Sequence, residues 1–237
     1  MKELIIGVWA HPDDEMGSAG SMMHAVDSGA EVHFVYITAG QKGENPDNVP
    51  DLGAQRIREA TAAAECIGVP KTHVHALGFE DGEIGQLSYT QLQTALRQLL
   101  TDIVSRVTDP ASLSFVSLFG TSPTGHPDHQ AIAETMIRFT KEIADQLPAH
   151  IHLKELCLYC LGPEQAPSPD HGTPFALACC NETDRQFDAA AFAKRKVEAI
   201  ACHHSQRADG ALWQQPALLT PEYFKIIRPV DVTGLES

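Results

Sequence analysis

Apolar residues fall into short runs, and the stretches between the runs carry apolar residues at helical spacing. Residues 4–10 form the first run, Leu-Ile-Ile-Gly-Val-Trp-Ala, and residues 31–38 form a second that is rich in β-branched and aromatic side chains. Further runs at 72–77, 113–119 and 152–161 bring the predicted strands to five, and 175–182 reads as another. Between them lie predicted helices. Met22, Met23 and Val26 mark one over 17–29. Leu52, Ile57, Ala60, Ala64 and Ile67 mark another over 51–68, with Gly68 as a C-cap. Leu92, Leu96, Leu99, Leu100 and Ile103 share one side of 88–107, a further helix covers 129–147, and Phe192, Val197 and Ile200 mark the last over 189–203. Strands alternating with helices predict an α/β fold, a Rossmann-like three-layer sandwich with a mostly parallel central sheet and helices on both faces. The loop at 39–53 is long enough for a lid, and 79–85 is an acidic, glycine-containing turn. The Pro-rich stretch 162–174 marks off a C-terminal subregion from about 163 within one expected domain, 1–237. No GxGxxG follows the first strand, which disfavours dinucleotide binding.

Charge and cysteine usage narrow the classes. Seventeen basic against 31 acidic residues give a net charge of −14, a surface that repels phosphate backbones and argues against nucleic acid as a partner. The apolar runs are far too short to span a membrane. Met1-Lys2-Glu3 runs straight into a strand with no basic leader, so no signal peptide and a cytoplasmic location are expected. Cys66, Cys157, Cys160, Cys179, Cys180 and Cys202 are then expected as free thiols. Cys157 and Cys160 have CxxC spacing but sit inside a strand pattern, where a redox or zinc-ribbon pair does not belong.

Two polar clusters interrupt this apolar scheme. His11-Pro-Asp13-Asp14-Glu15 follows the first strand, and Gly125-His126-Pro-Asp128-His129 follows the fourth. Ligands bind at the carboxyl ends of the strands of an open α/β sheet, so the two clusters suggest one shared metal site. A catalytic zinc takes three protein ligands and keeps a fourth position open. His11, one acid of the first cluster and one histidine of the second supply that set. Spacing alone leaves open which of Asp13, Asp14 and Glu15, and which of His126 and His129, bind. The remaining groups would serve as general base, oxyanion donor and tautomer-fixing acid.

Ala10-His-Pro-Asp-Asp-Glu15 paired with His126-Pro-Asp-His129 resembles the LmbE-like, PIG-L-type superfamily of zinc-dependent N-deacetylases. Arg56-x-x-Glu59, Phe79-Glu-Asp81-Gly82, Lys196-x-x-Ala199, His203-x-Ser205-Gln206 and Glu222-Tyr-Phe224 are similar to its other segments. The resemblance implies His11, Asp14 and His129 as ligands of Zn2+ or another divalent ion, and Asp13 as general base. It implies protonated His126 as the oxyanion partner, Asp128 as the residue orienting His126, and Arg56 and Asp81 as substrate contacts. It further implies removal of acetyl from an N-acetylated amino sugar or glycoconjugate of N-acetylglucosamine type, and leaves a homo-oligomer open. Gln41 and Thr124 depart from the family pattern near the expected sugar position. A metallohydrolase for another N-acyl, ester or phosphoester bond is the weaker enzymatic alternative. A non-catalytic metal- or sugar-binding protein is weaker still, because binding alone needs none of Asp13, His126 and Asp128. The other histidines, His33, His73, His75 and His203 among them, read as strand-face or helix-end residues.

Overall fold

A computed structural model describes residues 1–165 and 179–229. The strands are β1 (Lys2–Trp9), β2 (Glu31–Thr38), β3 (Val74–Phe79), β4 (Ala111–Leu118), β5 (Ile151–Cys160), β6 (Arg185–Phe187) and β7 (Glu222–Ile227). They form one sheet in the order β3-β2-β1-β4-β5-β7-β6. The first five are mutually parallel, while β7 runs antiparallel to β5 and β6 antiparallel to β7. The helices are α1 (Ala19–Asp27), α2 (Leu52–Ile67), α3 (Tyr89–Val104), α4 (Pro127–Ile143), α5 (Ala193–Ile200), α6 (Arg207–Trp213) and α7 (Pro216–Leu219).

Alternation along the strands builds a core on each face. Leu4, Ile6 and Val8 of β1 pack with Leu96 and Leu100 of α3 and Met136 and Phe139 of α4. Phe34 and Tyr36 of β2 pack on the other side with Met23 of α1, Ala60 and Ile67 of α2, and Ile200 of α5. Helices therefore cover both faces, as the residue pattern predicts. Gly7 is glycine because the Trp9 indole lies over it: a Cβ there would run into the ring.

Four departures from the sequence expectation have physical causes. The second cluster opens α4 rather than preceding it, because His126 caps the helix and Pro127 occupies its first turn. The third strand starts two residues later than expected, behind a short 3-10 turn, Lys71–His73. β7 and β6 add an antiparallel edge that three to six residues signal too weakly. The helix expected over 189–203 is shorter, Ala193–Ile200, flanked by a 3-10 turn at Ala190–Phe192. Half of the expected strand at 175–182 and most of the loop at 162–174 lie outside the described residues; over 179–182 the strand is reduced to a single bridge from Cys179 to Leu161. Cys157 and Cys160 both lie in β5 as free thiols.

β7 is fastened to the rest by a buried ion pair. Lys196 Nζ of α5 lies 2.8 Å from Glu222 Oε1, with both side chains at 0% exposure. Glu222 also accepts the Gly20 and Ser21 N–H groups at 2.7 and 2.9 Å, at the positive end of α1. Lys196 further donates to the carbonyls of Gly17 and Leu219. The start of α1, α5 and β7 thus meet on one pair of charges directly behind the first polar cluster.

Candidate metal centre

β1 ends at Trp9, and the chain turns sharply through the first cluster. Thr38 fixes the strand end by donating its N–H and hydroxyl to Ala10 O, each at 3.0 Å. Asp13 then adopts φ 102°, a left-handed conformation that is strained for a residue with a Cβ. Three side chains hold it there. Arg56 of α2 donates to Pro12 O at 2.6 Å and Gly40 O at 2.9 Å, and its guanidinium lies 3.1 Å from Asp13 Oδ2. Glu15 accepts the Asp13 N–H at 3.0 Å. Glu15 is itself held by His203 Nε2 at 2.9 Å, a buried pair supplied by the segment after α5.

The turn aims two groups at the start of α4. His11 Nδ1 lies 3.3 Å from His129 Nε2. Asp14 Oδ1 lies 3.0 Å from His129 Nε2, and Asp14 Oδ2 lies 3.7 Å from His11 Nδ1. Ligands bonded tetrahedrally at about 2.0–2.1 Å stand roughly 3.3–3.4 Å apart. The His11–His129 contact matches that spacing, while Asp14 reaches the two imidazoles through different oxygens, so closing all three groups on one small divalent ion takes a turn of the Asp14 carboxylate.

Groups behind the triangle fix the tautomers. His11 Nε2 faces Asp81 Oδ1 at 3.0 Å and Asp128 Oδ2 at 3.3 Å, which places its proton there and leaves the Nδ1 lone pair on the triangle. His129 Nδ1 meets the Thr124 hydroxyl at 3.1 Å, freeing Nε2 in the same way. Asp128 accepts the Gly82 and Ile84 N–H groups and thereby docks the acidic turn after β3. His126 Nδ1 accepts the Asp128 backbone N–H at 3.1 Å. A neutral imidazole that accepts at Nδ1 carries its proton on Nε2, so His126 is set up as a donor. A nitrogen of His126 also comes within 4.8 Å of nitrogens of His11 and His129, so proximity alone does not choose the ligand set.

The electrostatics call for a cation. Burial pulls the His11 imidazole down, but Asp128, Asp81 and Asp14 outweigh it and lift the group to about 10. Burial works against the Asp14 and Asp81 carboxylates, yet His129 and His11 hold Asp14 well below the usual range, and His11 brings Asp81 to about 2. Burial pushes Asp13 up to about 6 against the pull of Arg56. Burial, then the neighbouring His11 and His129, lower His126. An imidazolium among carboxylates is the charge state that a bound metal ion replaces, with release of the proton.

The triangle lies at the floor of a cavity of about 340 Å³, also lined by Asp13, His126, Lys42, Asp209 and Trp213. Arg56 and Asp81 line it too: Arg56 holds the two carbonyls and Asp13 and keeps a buried Nε–H without a partner among the described residues, and Asp81 meets His11 and the Lys42 N–H. Both are expected as substrate contacts, and both line the cavity while bracing the turns that carry the first cluster. The Asp128 carboxylate, expected to orient His126, bonds the turn and faces His11, and only its backbone N–H reaches His126. Thr124, expected near a sugar, touches His129, and Gln41 donates to Glu80 away from the cavity lining. Sequence reasoning left Glu15 and His203 without a role. Their signal was a third acid in the first cluster, too polar for a turn residue that proves fully buried.

A parallel-sheet α/β fold with two His/Asp clusters converging at the strand ends defines a candidate metallohydrolase-type site. The family pattern of GlcNAc-PI de-N-acetylases, PIG-L, matches residues 6–140, and the chain belongs to that family. A 1D-myo-inositol 2-acetamido-2-deoxy-alpha-D-glucopyranoside deacetylase from Mycobacterium sp. strain KMS is 38% identical over 86 residues, 31% of this chain and 28% of that protein. The diacetylchitobiose deacetylase of Thermococcus kodakarensis is 32% identical over 134 residues, 53% of this chain and 45% of that one. The aligned segments thus span less than half the length of these relatives. The structure of N,N'-diacetylchitobiose deacetylase from Pyrococcus horikoshii superposes with a TM-score of 0.69 at 21% identity, covering 98% of this chain and 87% of that one, a likeness of fold.

Replacing Asp81 by asparagine removes one of the two carboxylates on His11 Nε2 and keeps the shape of the turn. Zinc affinity, read by competition with a chromophoric chelator, is expected to fall about 10–100-fold, as it does for such supporting groups elsewhere. Unchanged affinity would show that Asp81 does not support the ligand.

Proposed function

We propose that this protein is a metal-dependent N-deacetylase that hydrolyses the acetamide of an N-acetylglucosamine-type small molecule, releasing acetate and a free amine. The observation that carries the reading is the convergence of His11 Nδ1, Asp14 and His129 Nε2, with the Asp13 carboxylate lining the same cavity. In this reading His11, Asp14 and His129 hold a zinc ion. Bound there, zinc supplies Lewis acidity and lowers the pKa of water to about 7.

The protein groups divide the proton work. Asp13 accepts the proton of the attacking water as the new C–O bond forms. His126 donates its Nε2–H to the oxygen of the tetrahedral intermediate; one such donor is worth about 10²–10³ in rate. Asp13 returns its proton to the departing nitrogen, and the C–N bond breaks. The Asp128 N–H on His126 Nδ1 supports a neutral imidazole as this donor, in place of the protonated one that the resemblance implies. Leu212 and Trp213 give one wall of the cavity an apolar surface suited to the carbon face of a pyranose. Among the described residues no helix is long and apolar enough to cross a membrane.

The test is acetate and free-amine release from a panel of N-acetylated sugars, N-acetylglucosamine and diacetylchitobiose included, with and without a chelator. Turnover that chelation stops and zinc restores is expected. Turnover indifferent to chelation would contradict the mechanism.

A further inference from the structure

Three imidazoles and a carboxylate meet where β2 and β3 begin, far from the cavity. Glu31 and His33 are two residues apart on β2, His73 ends the 3-10 turn entering β3, and His75 lies on β3. The candidate metal centre lies at the other end of the parallel strands, and β2 alone, eight residues rising about 3.3 Å each, is roughly 23 Å long. We propose that Glu31, His33 and His73 form a second metal site, for a divalent transition ion of borderline softness such as zinc.

The donor atoms and their supports carry the inference. His33 Nε2 and Glu31 Oε1 stand 3.1 Å apart, near the edge length of a tetrahedral site. A ligand-capable atom of His73 joins them, all within 4.8 Å of one another. Both rings are anchored through their other nitrogen. His73 Nδ1 bonds Val32 O at 3.0 Å, which leaves its Nε2 as the free donor. His33 Nδ1 bonds His75 Nε2 at 3.1 Å, which leaves Nε2 toward Glu31. Lys2 holds the second oxygen of Glu31 at 2.6 Å and so orients the first.

The His33 and His73 rings stack at 4.0 Å and 14°, an arrangement that two like-charged imidazoliums would oppose. Neutral imidazole is the form that binds metal. Parallel rings have parallel in-plane lone pairs, so closure on an ion requires His73 to tilt out of the stack, pivoting on its Nδ1 bond to Val32 O. Two nitrogens and one carboxylate oxygen suit zinc, nickel or copper and exclude a magnesium-type preference. The ion would cross-link β2 to β3, the edge strand that leads into the turn carrying Asp81.

Tag-free protein, stripped with chelator and titrated with zinc at sub-micromolar free ion, tests this. Two ions per chain are expected for the wild type, one for His73→Gln and one for Glu31→Gln, with turnover on an N-acetylated sugar retained in both variants. Asp14→Asn is expected to keep only the far ion, and Asp14→Asn combined with His73→Gln none. His73→Gln binding as many ions as the wild type would overturn the site. A single wild-type ion that survives Asp14→Asn and disappears in His73→Gln would uphold it and overturn the centre of the proposed function instead.

Discussion

Asp13→Asn is expected to lower kcat by about 10²–10⁴-fold and to leave one zinc ion in the cavity, the range that loss of a general base produces. The carboxylate of Asp13 is turned to Arg56, and its backbone, not its side chain, is what Glu15 holds. It lines the same cavity as His11, Asp14 and His129, and its ion pair is with Arg56. Asparagine is the chosen replacement because it tolerates the left-handed backbone of this position better than most residues. Asp13→Ala should lose turnover as fully and also keep the ion, with an added cost in stability from the strained turn. Metal content by mass spectrometry and steady-state kinetics on the same preparation separate the two effects. A variant that has lost its ion would move Asp13 from base to ligand.

The second large effect is on stability. Lys196→Met should cost about 3–5 kcal/mol in urea unfolding, because Glu222 is then left charged with no cation beside it at full burial. Glu222→Gln should cost less, since Lys196 keeps the Gly17 and Leu219 carbonyls as partners, although the amide oxygen replaces only one of the two oxygens that take the Gly20 and Ser21 N–H groups. The double variant should recover part of the Lys196→Met loss, which is the signature of a pair rather than two separate contacts. A loss under about 1 kcal/mol for Lys196→Met would show that water reaches the pair. Because both charges sit behind α1, loosening them should also weaken the turn that carries Asp13 and Asp14.

Much of this was legible in the residue order, and the gaps have physical reasons. The runs at 31–38 and 113–119 announced β2 and β4 because strands buried on both faces must be almost wholly apolar. The two His/Asp clusters announced the centre because ionised groups at such density have no place in a core. The start of α4 was misplaced because histidine is an uncommon cap, so His126 and Pro127 resembled a turn. β7 depends on its antiparallel pairing with β5, a long-range contact that no local pattern encodes. Thr124, Asp81 and Glu15 act on His129, His11 and the Asp13 backbone through single hydrogen bonds across the fold, and such pairings leave no spacing to read.

The account turns on one cation shared by the two clusters. Anomalous diffraction from crystals grown with zinc, recorded above and below the zinc absorption edge, tests it most directly. The predicted result is a peak in the cavity bonded at about 2.0–2.2 Å to His11 Nδ1, Asp14 and His129 Nε2, with Asp13 outside the bonding distance. A cavity without a peak, or a peak that takes His126 in place of Asp14, would contradict it.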